Sequence, residues 1–314
     1  MKIDGHEIAE KMYEDLKKRV AKLKKHDVIP HLVVFLVGEN PASVAYVTLK
    51  QKKGEEIGAK VTLMNFDTSV TTEELEEKVK LLNIDPFVHA ILIQRPLPEQ
   101  IDVNKLELLT NPEKDIDGFH PKSPYTLPLP LAVGKILEEV FILSNNEEQG
   151  VARAGDPHRA PAANARTSDG GKAGQDPVST EYLTWLQLQN IVLIGKGPTG
   201  GGPILEYFKT LDVKPTIIDS KTKDPSALMK KADIIVSAVG RENVVKATDI
   251  KKGVILISVG ILRGENKKLK GDYDAEAIQD KAAFYTPTPG GVGPVNVAKL
   301  MENLITAAEK QITK

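Results

Sequence analysis

Gly195, Gly197 and Gly200, in Asn190-Ile-Val-Leu-Ile-Gly195-Lys196-Gly197-Pro198-Thr199-Gly200-Gly201-Gly202, match the spacing G-x-G-x-x-G. The chemistry that needs such a turn is the binding of a dinucleotide pyrophosphate. Main-chain N–H groups must come close to it, side chains would block the approach, and a helix N-terminus adds partial positive charge. The pattern alone is weak. Here it follows an apolar run, opens a helix and heads a strand–helix–strand unit, which marks it as a nicotinamide-nucleotide site. A second strand ends at Ile218-Asp219-Ser220, about where such folds place the ribose-binding residue. A carboxylate at Asp219 accepts from a ribose 2′-hydroxyl and repels a 2′-phosphate, whereas Lys196 and Ser220 are both suited to a phosphate. NADP and NAD therefore both stay open.

A second group lies in the N-terminal half. Tyr46 and Lys50 are four residues apart, so on a helix they share one face. A lysine on a helix is ordinarily a solvated charge, but two other residues point to the same place. Gln94 stands just past the end of an apolar run, in Ile93-Gln94-Arg95-Pro96, and ligands of open parallel sheets bind beyond the carboxyl ends of strands. Asp117 lies in Pro112-Glu-Lys-Asp115-Ile-Asp117-Gly118, a segment long enough to fold back over Gln94. Asp115 and Asp117 read equally as a simple Asp-Gly turn and as functional carboxylates. A third piece is Tyr285-Thr-Pro-Thr-Pro289-Gly290-Gly291-Val292-Gly293-Pro294. Its prolines and glycines predict an irregular backbone that offers main-chain groups to a ligand just before a helix from Val295.

These residues need elements to hold them, and the hydrophobic pattern supplies alternating ones. Apolar positions at helical spacing fill 6–24, a buried strand reads over 31–37, and Asn40-Pro41 starts a helix reaching about Ile57, which Gly58 ends. Strands at 60–65 and 90–93 flank a helix at 71–83. Residues 121–130 are proline-rich and read as a hinge before a helix at about 131–142. From Ser144 to about Thr180 the composition turns to Ala, Gly, Asp, Asn, Arg and Ser, too polar to offset ordering entropy. We read that stretch as a mobile insert whose His158 and arginines are solvated. Beyond it, strands read at 191–194, 215–218, 234–236, 254–257 and 283–285. Strands alternating with helices imply an α/β fold with parallel sheets, here in two lobes.

With 314 residues there is enough chain for two cores. The 42 basic and 43 acidic residues leave a net charge of -1, which argues against nucleic acid or an anionic membrane as partner. No cysteine is present, so disulfides, thiolate metal sites and cysteine nucleophiles are excluded. The six histidines lack ligand spacing, so no metal site is expected. No signal-peptide pattern or membrane-length apolar run is seen, and a cytoplasmic location is expected.

Taken together, V-G-E-N-P-A-S-x-x-Y-x-x-x-K, L-I-Q-R-P-L-P, P-E-K-D-I-D-G-F-H-P and T-P-T-P-G-G-V-G-P resemble the bifunctional methylenetetrahydrofolate dehydrogenase/methenyltetrahydrofolate cyclohydrolase family. The last two stretches are the specific ones, and the resemblance covers nearly the whole chain outside 144–180. It implies an N-terminal three-layer α/β folate lobe (1–122 plus 290–314) and a C-terminal Rossmann-type lobe (123–289) with a cleft between them. It also implies oxidation of 5,10-methylenetetrahydrofolate with NADP or NAD and hydrolysis of the methenyl product to 10-formyltetrahydrofolate. A homodimer and a place in one-carbon metabolism and purine biosynthesis follow from the same likeness.

By matching position, Lys50 is the family's catalytic lysine, Tyr46 the aromatic that packs on folate, Gln94 the lysine's partner and Asp117 the carboxylate that holds the pterin. Folate contacts extend to Val47, Thr48, Leu49, Ile93, Arg95 and the segment Pro289, Gly290, Gly291, Val292 and Gly293. Cofactor contacts fall on Gly195, Lys196, Gly197, Thr199, Gly200, Asp219, Ser220 and Ile261. A lysine whose pKa is lowered by burial suits the hydrolysis, which must take a proton from water and give one to nitrogen. The sequence departs from the family at Lys196-Gly197 (usually Arg-Ser), at Asp219 (usually His), at Arg95 (commonly apolar) and at Pro124-Tyr125-Thr126-Leu127-Pro128 (usually Pro-Cys-Thr-Pro). Two alternatives are a dehydrogenase of another small substrate and a family member that binds nucleotide without catalysis.

Overall fold

The structure, a computed structural model, describes residues 1–152, 178–263 and 269–312. Its described residues divide into two compact units. One holds 10–128 and 297–312, the other 1–9, 129–152, 178–263 and 269–296. Both are α/β units built on parallel sheets.

In the first unit, α1 (Gly5–Lys24, whose first turn belongs to the other unit) precedes β1 (His31–Val37), α2 (Pro41–Glu56), β2 (Lys60–Phe66), α3 (Thr72–Ile84), β3 (Ala90–Ile93) and α4 (Val103–Leu109). The sheet order is β2-β1-β3, all parallel. Every residue of β1 from Leu32 to Val37 is buried, as expected of a central strand covered on both faces. Val33, Phe35 and Val37 pack with Leu75 and Val79 of α3 and Leu106 of α4. Local chemistry starts the helices. Asn40 caps α2 by accepting from the N–H groups of Ala42 and Ser43, with Pro41 at the first position. Thr71 and Glu74 form a capping box on α3, a device typically contributing about 1 kcal/mol.

In the second unit, α5 (Pro128–Ala152) and α6 (Thr180–Leu188) are followed by β4 (Ile191–Ile194), α7 (Gly201–Thr210), β5 (Thr216–Ile218), α8 (Pro225–Met229), β6 (Ile234–Ser237), β7 (Ile255–Ser258), the short antiparallel pair β8 (Leu262–Arg263) and β9 (Leu269–Lys270), α9 (Ala275–Ile278) and β10 (Phe284–Tyr285). The main sheet runs β10-β7-β6-β4-β5, all parallel. Val192, Ile194, Ile235 and Leu256 bury one face against Met229 and Ile278. The chain's start pairs with the outer edge: Ile3 N–H donates to the Tyr285 carbonyl at 2.8 Å. α10 (Val292–Ile312) begins in this unit and ends in the first.

Three expectations need correction. The helix expected over 131–142 extends from Pro128 to Ala152, so Ser144–Ala152 are helical rather than part of an insert. Polar composition did not stop it, because Ser, Asn, Glu and Gln are acceptable in a helix and no Pro follows the first turn. Pro128, at the end of the expected hinge, instead occupies the first helical position, where its missing N–H costs nothing. α10 starts at Val292, not Val295, so Val292 and Gly293 are helical rather than irregular. Pro294 then falls in the first turn, which tolerates it. The rest of the expected insert, including His158, lies outside the described residues.

The N-terminal end of the first sheet rests on two histidines. His89 Nδ1 accepts the His31 N–H at 3.2 Å, while the His31 ring meets the Phe87 carbonyl at 3.1 Å and Thr62 Oγ1 at 2.9 Å. Burial, reinforced by the charges of His31 and Lys114, pushes His89 down from 6.5 to about 4. A base whose folded pKa is depressed stabilises the fold above its unfolded pKa, and this contribution is lost as pH falls through the folded one. Urea midpoints should therefore fall as pH drops from about 6.5 toward about 4. His89→Asn, which keeps an acceptor near the Nδ1 position, should flatten that limb. An equally steep loss in the variant would remove His89 as its source.

Candidate functional site

α2 places Tyr46 and Lys50 on one face, as their spacing requires, and turns that face inward. Ser43, Val47, Lys50 and Gly54 are the buried residues of the helix. Lys50 is only 4% exposed. Its Nζ donates to Gln94 Oε1 at 3.0 Å and sits over the Tyr46 ring, 4.7 Å from the centroid. Gln94 follows β3 directly. Its own N–H donates to the Phe35 carbonyl of β1 at 2.9 Å, which fixes it at the carboxyl end of the sheet. Its side-chain Nε2 donates to the Arg95 carbonyl at 2.6 Å, which leaves Oε1 for the lysine. Burial lowers the Lys50 pKa, and the opposing pull comes from the Asp117 carboxylate. Burial likewise raises Asp117, against the positive charges of Lys50 and Arg95. Each group is thus the other's main electrostatic compensation.

The Asp-x-Asp pair, ambiguous in sequence, splits into two roles. Asp115 is a scaffold: its carboxylate accepts the N–H groups of His120 at 2.7 Å and Gly118 at 3.2 Å, and its carbonyl accepts Ser123 Oγ at 2.8 Å. Burial still outweighs those donors and lifts Asp115 to about 7. Asp117 is the member that faces Lys50 electrostatically. Arg95 adds a clamp of its own. It is ion-paired with Glu107 and lies over the Phe119 ring, 4.6 Å from the centroid, two residues from Asp117.

Of the other expected folate contacts, Val47 is fully buried, Thr48 and Leu49 are exposed and Ile93 is partly buried. Pro289–Gly293 belongs to the other unit. There the N–H of Gly5 donates to the Gly290 carbonyl at 2.8 Å, and a Cβ on Gly5 would collide with the Gly291 carbonyl. The Arg95–Pro96 and Thr288–Pro289 peptide bonds are both cis.

Asn303 is a residue that sequence reading missed. It is fully buried on α10, and its Nδ2 donates to the carbonyls of Ile116 (2.9 Å) and Thr126 (3.0 Å), holding both ends of the loop that carries Asp117. The available signal was a lone amide among Leu300, Met301, Leu304 and Ile305, since a buried amide must find partners.

In the second unit the glycine turn links β4 to α7. Gly195 has φ +88 and its N–H donates to the Ile218 carbonyl at 2.8 Å. A Cβ on Gly201 would lie 2.0 Å from the Gly195 carbonyl oxygen, so the turn closes only with glycine there. Over Gly197 there is open space: a Cβ would meet nothing within 4 Å. Gly200 caps α7 without a side-chain hydrogen bond; the N–H groups of Gly200 and Gly202 donate to the Gly197 carbonyl at 3.3 and 2.9 Å, which folds the turn back on the helix start and leaves the positive end of the helix dipole beneath the open space at Gly197. These features fit a dinucleotide pyrophosphate. Thr199, Ser220 and Ile261 are exposed. Lys196 and Asp219, residues with opposite implications for cofactor choice, form an ion pair at 2.8 Å.

Two family models match the chain. The catalytic domain of tetrahydrofolate dehydrogenase/cyclohydrolase matches residues 3–117, and the NAD(P)-binding domain of the same family matches residues 178–312. The Bifunctional protein FolD of Bacillus velezensis is 36% identical over 313 residues, covering 99% of this chain and 98% of its own. That of Lactococcus lactis is 35% identical over 312 residues, with coverages of 99% and 98%. The solved structure of the Campylobacter jejuni bifunctional enzyme FolD, a methylenetetrahydrofolate dehydrogenase/cyclohydrolase, superposes with a TM-score of 0.81 at 31% identity over 98% of each chain. The Trypanosoma brucei enzyme, complexed with NADP cofactor and inhibitor, gives a TM-score of 0.81 at 25% identity, covering 100% of this chain and 99% of its own.

The contrast between Gly197 and Gly201 is testable. Gly201→Ala should cost about 1–3 kcal/mol of stability by overpacking the turn. Gly197→Ala should change stability by no more than about 0.5 kcal/mol, because its methyl meets nothing within 4 Å. Thermal melts of both variants measure the contrast. Equal destabilisation would contradict the geometry.

Proposed function

Since the chain belongs to the tetrahydrofolate dehydrogenase/cyclohydrolase family, we propose that it oxidises 5,10-methylenetetrahydrofolate by hydride transfer to NADP, with NAD as a second acceptor, and then hydrolyses the 5,10-methenyl product to 10-formyltetrahydrofolate. The observation that carries this reading is the buried Lys50 amine, donating to Gln94 at 3.0 Å and facing the Asp117 charge.

The two half-reactions ask different things of the protein. Bound nicotinamide accepts the hydride. Loss of hydride from the methylene leaves a cation delocalised over two nitrogens, so oxidation needs positioning rather than a base. Tyr46 supplies an aromatic face and Asp117 a carboxylate for the pterin. Val47, Thr48, Leu49, Ile93, Arg95 and the Pro289–Gly293 segment complete the proposed folate contacts. Hydrolysis needs a proton taken from the attacking water and one given to the leaving ring nitrogen. Lys50 suits both steps because burial favours its neutral amine, and Gln94 holds Nζ in place through Oε1. Gly195, Lys196, Gly197, Thr199, Gly200, Asp219, Ser220 and Ile261 form the proposed nucleotide contacts.

The reading extends to a cytoplasmic homodimer whose product serves purine biosynthesis. Leu81, Ile84 and Phe87 support the dimer, since they leave large apolar side chains mostly exposed within one short stretch of the first unit. Among the described residues no helix is long and apolar enough to cross a membrane.

Lys50→Met removes the titrating amine and keeps most of the stem. Cyclohydrolase activity should fall on the order of 10²-fold or more, in line with the usual worth of a positioned acid–base group, while NADP affinity stays unchanged. Wild-type hydrolysis of 5,10-methenyltetrahydrofolate by this variant would refute the assignment. Wild-type hydrolysis should also rise with pH through an inflection below the ordinary lysine value of 10.5, because burial lowers Lys50. That inflection should be absent from any residual rate of the variant.

A further inference from the structure

We propose that Asp272 is a positioning residue for the nicotinamide half of the bound nucleotide: its buried carboxylate ties together the loops that follow β6 and β7 and so fixes where Ile261 stands. The inference rests on the nucleotide reading above, which gives Asp272 no part.

The sheet order gives the direction. β7, β6, β4 and β5 are neighbours in that sequence, all parallel. Ligands of such sheets lie beyond the carboxyl ends of the strands. A dinucleotide with its adenosine ribose at the end of β5 and its pyrophosphate at the turn after β4 therefore has β6 and β7 left for its nicotinamide. The loop surface there is continuous. A Cβ on Gly195 would meet Val239 Cγ1 at 2.8 Å and the Ala238 carbonyl oxygen at 3.0 Å, and one on Gly240 would meet the Ile261 carbonyl oxygen at 3.3 Å. The glycine turn thus touches the loop after β6, and that loop touches the one after β7. Ile261 is 53% exposed there, a large apolar side chain of the kind that a nicotinamide face covers.

Asp272 holds both loops. One carboxylate oxygen accepts the Arg241 N–H at 3.1 Å, from the loop after β6. The other accepts the Gly260 N–H at 3.2 Å, from the loop after β7 and directly before Ile261. The Asp272 main chain is anchored as well. Its N–H donates to Ser258 Oγ at 3.0 Å, and its carbonyl accepts the Val245 N–H at 3.2 Å. A Cβ on Gly260 would collide with both carboxylate oxygens and with the Gly240 nitrogen, so the three segments close on one another without slack.

Burial makes the choice of residue informative. Asp272 is fully buried, and the partners of its carboxylate among the described residues are those two main-chain N–H groups. A buried carboxylate is costly to a fold, and filling the space alone would be served by an apolar side chain. What the carboxylate adds is a pair of acceptors that fix two loops against each other. Hydride transfer needs that stiffness, because a misplacement of about 1 Å between reacting groups slows a reaction steeply.

Asp272→Asn keeps the shape but turns one acceptor into a donor that faces an N–H, which releases one loop. Titration calorimetry of the full chain tests the consequence, with NADPH against 2′-phospho-ADP-ribose and NADH against ADP-ribose. Each pair differs by the nicotinamide ring. The variant should bind the ring-bearing nucleotide on the order of tenfold more weakly and its ring-free counterpart within about twofold of wild type. Ser258→Ala removes the hydroxyl that anchors the Asp272 N–H and should show the same selective loss at smaller size. Asp272→Asn decides the matter where it folds, and Ser258→Ala where it does not. Equal weakening of both ligands, the mark of a purely structural residue, or weakening of neither overturns the proposal. So does a wild-type chain that gains no affinity from the ring. Binding of none of the four ligands by the wild-type chain overturns the nucleotide reading itself.

Discussion

Taking the amine of Lys50 out of water is the costly step around which the N-terminal unit is arranged. A buried ammonium forfeits hydration worth several kcal/mol, and only close partners return it. Three are present: the Gln94 carbonyl oxygen, the face of Tyr46 and the charge of Asp117. None is strong enough to keep the lysine at its ordinary pKa. The result is a group that is tethered but incompletely compensated, the state in which a lysine exchanges protons readily. Had Asp117 made a direct short ion pair, the charge would have been fixed and the proton harder to remove.

That balance depends on loop stiffness as much as on charge. Asp117 sits on a segment with no regular secondary structure, and its distance from Lys50 would drift without support. Asp115 supplies it from within by binding the N–H groups of Gly118 and His120. Asn303 supplies it from α10 by binding the carbonyls of Ile116 and Thr126. Arg95 ties the same segment to the end of β3 through Phe119 and Glu107. Residues outside the proposed chemistry thereby hold Lys50 and Asp117 in register with one another.

The nucleotide turn follows a different logic. Its backbone is preformed by glycines: a side chain at Gly201 would strike the Gly195 carbonyl, and the space over Gly197 is open. Only the far end, at Lys196 and Asp219, is made of side chains, and there the contacts are exposed and exchangeable. The path of the turn is thus built into the backbone, while Lys196 and Asp219 leave an exposed pair of charges at its edge.

How much of this was legible beforehand divides along the same line. Wherever a feature follows from local spacing, the residues alone specified it. Tyr46 and Lys50 share a helix face because they are four apart, Gln94 follows a strand because the apolar run stops there, and Gly195 to Gly202 form a tight strand-to-helix turn because side chains are missing. Helix ends were less legible: α5 ran on through polar residues to Ala152 and α10 began three residues early, since neither composition nor proline placement forbids it. The division of labour between Asp115 and Asp117 was not legible at all, nor was the role of Asn303, nor the pairing of Lys196 with Asp219. Each depends on contacts between residues from different elements, such as α10 against the 116–126 loop. Burial, which decides whether a carboxylate or an amine keeps its charge, exists only once those elements have packed.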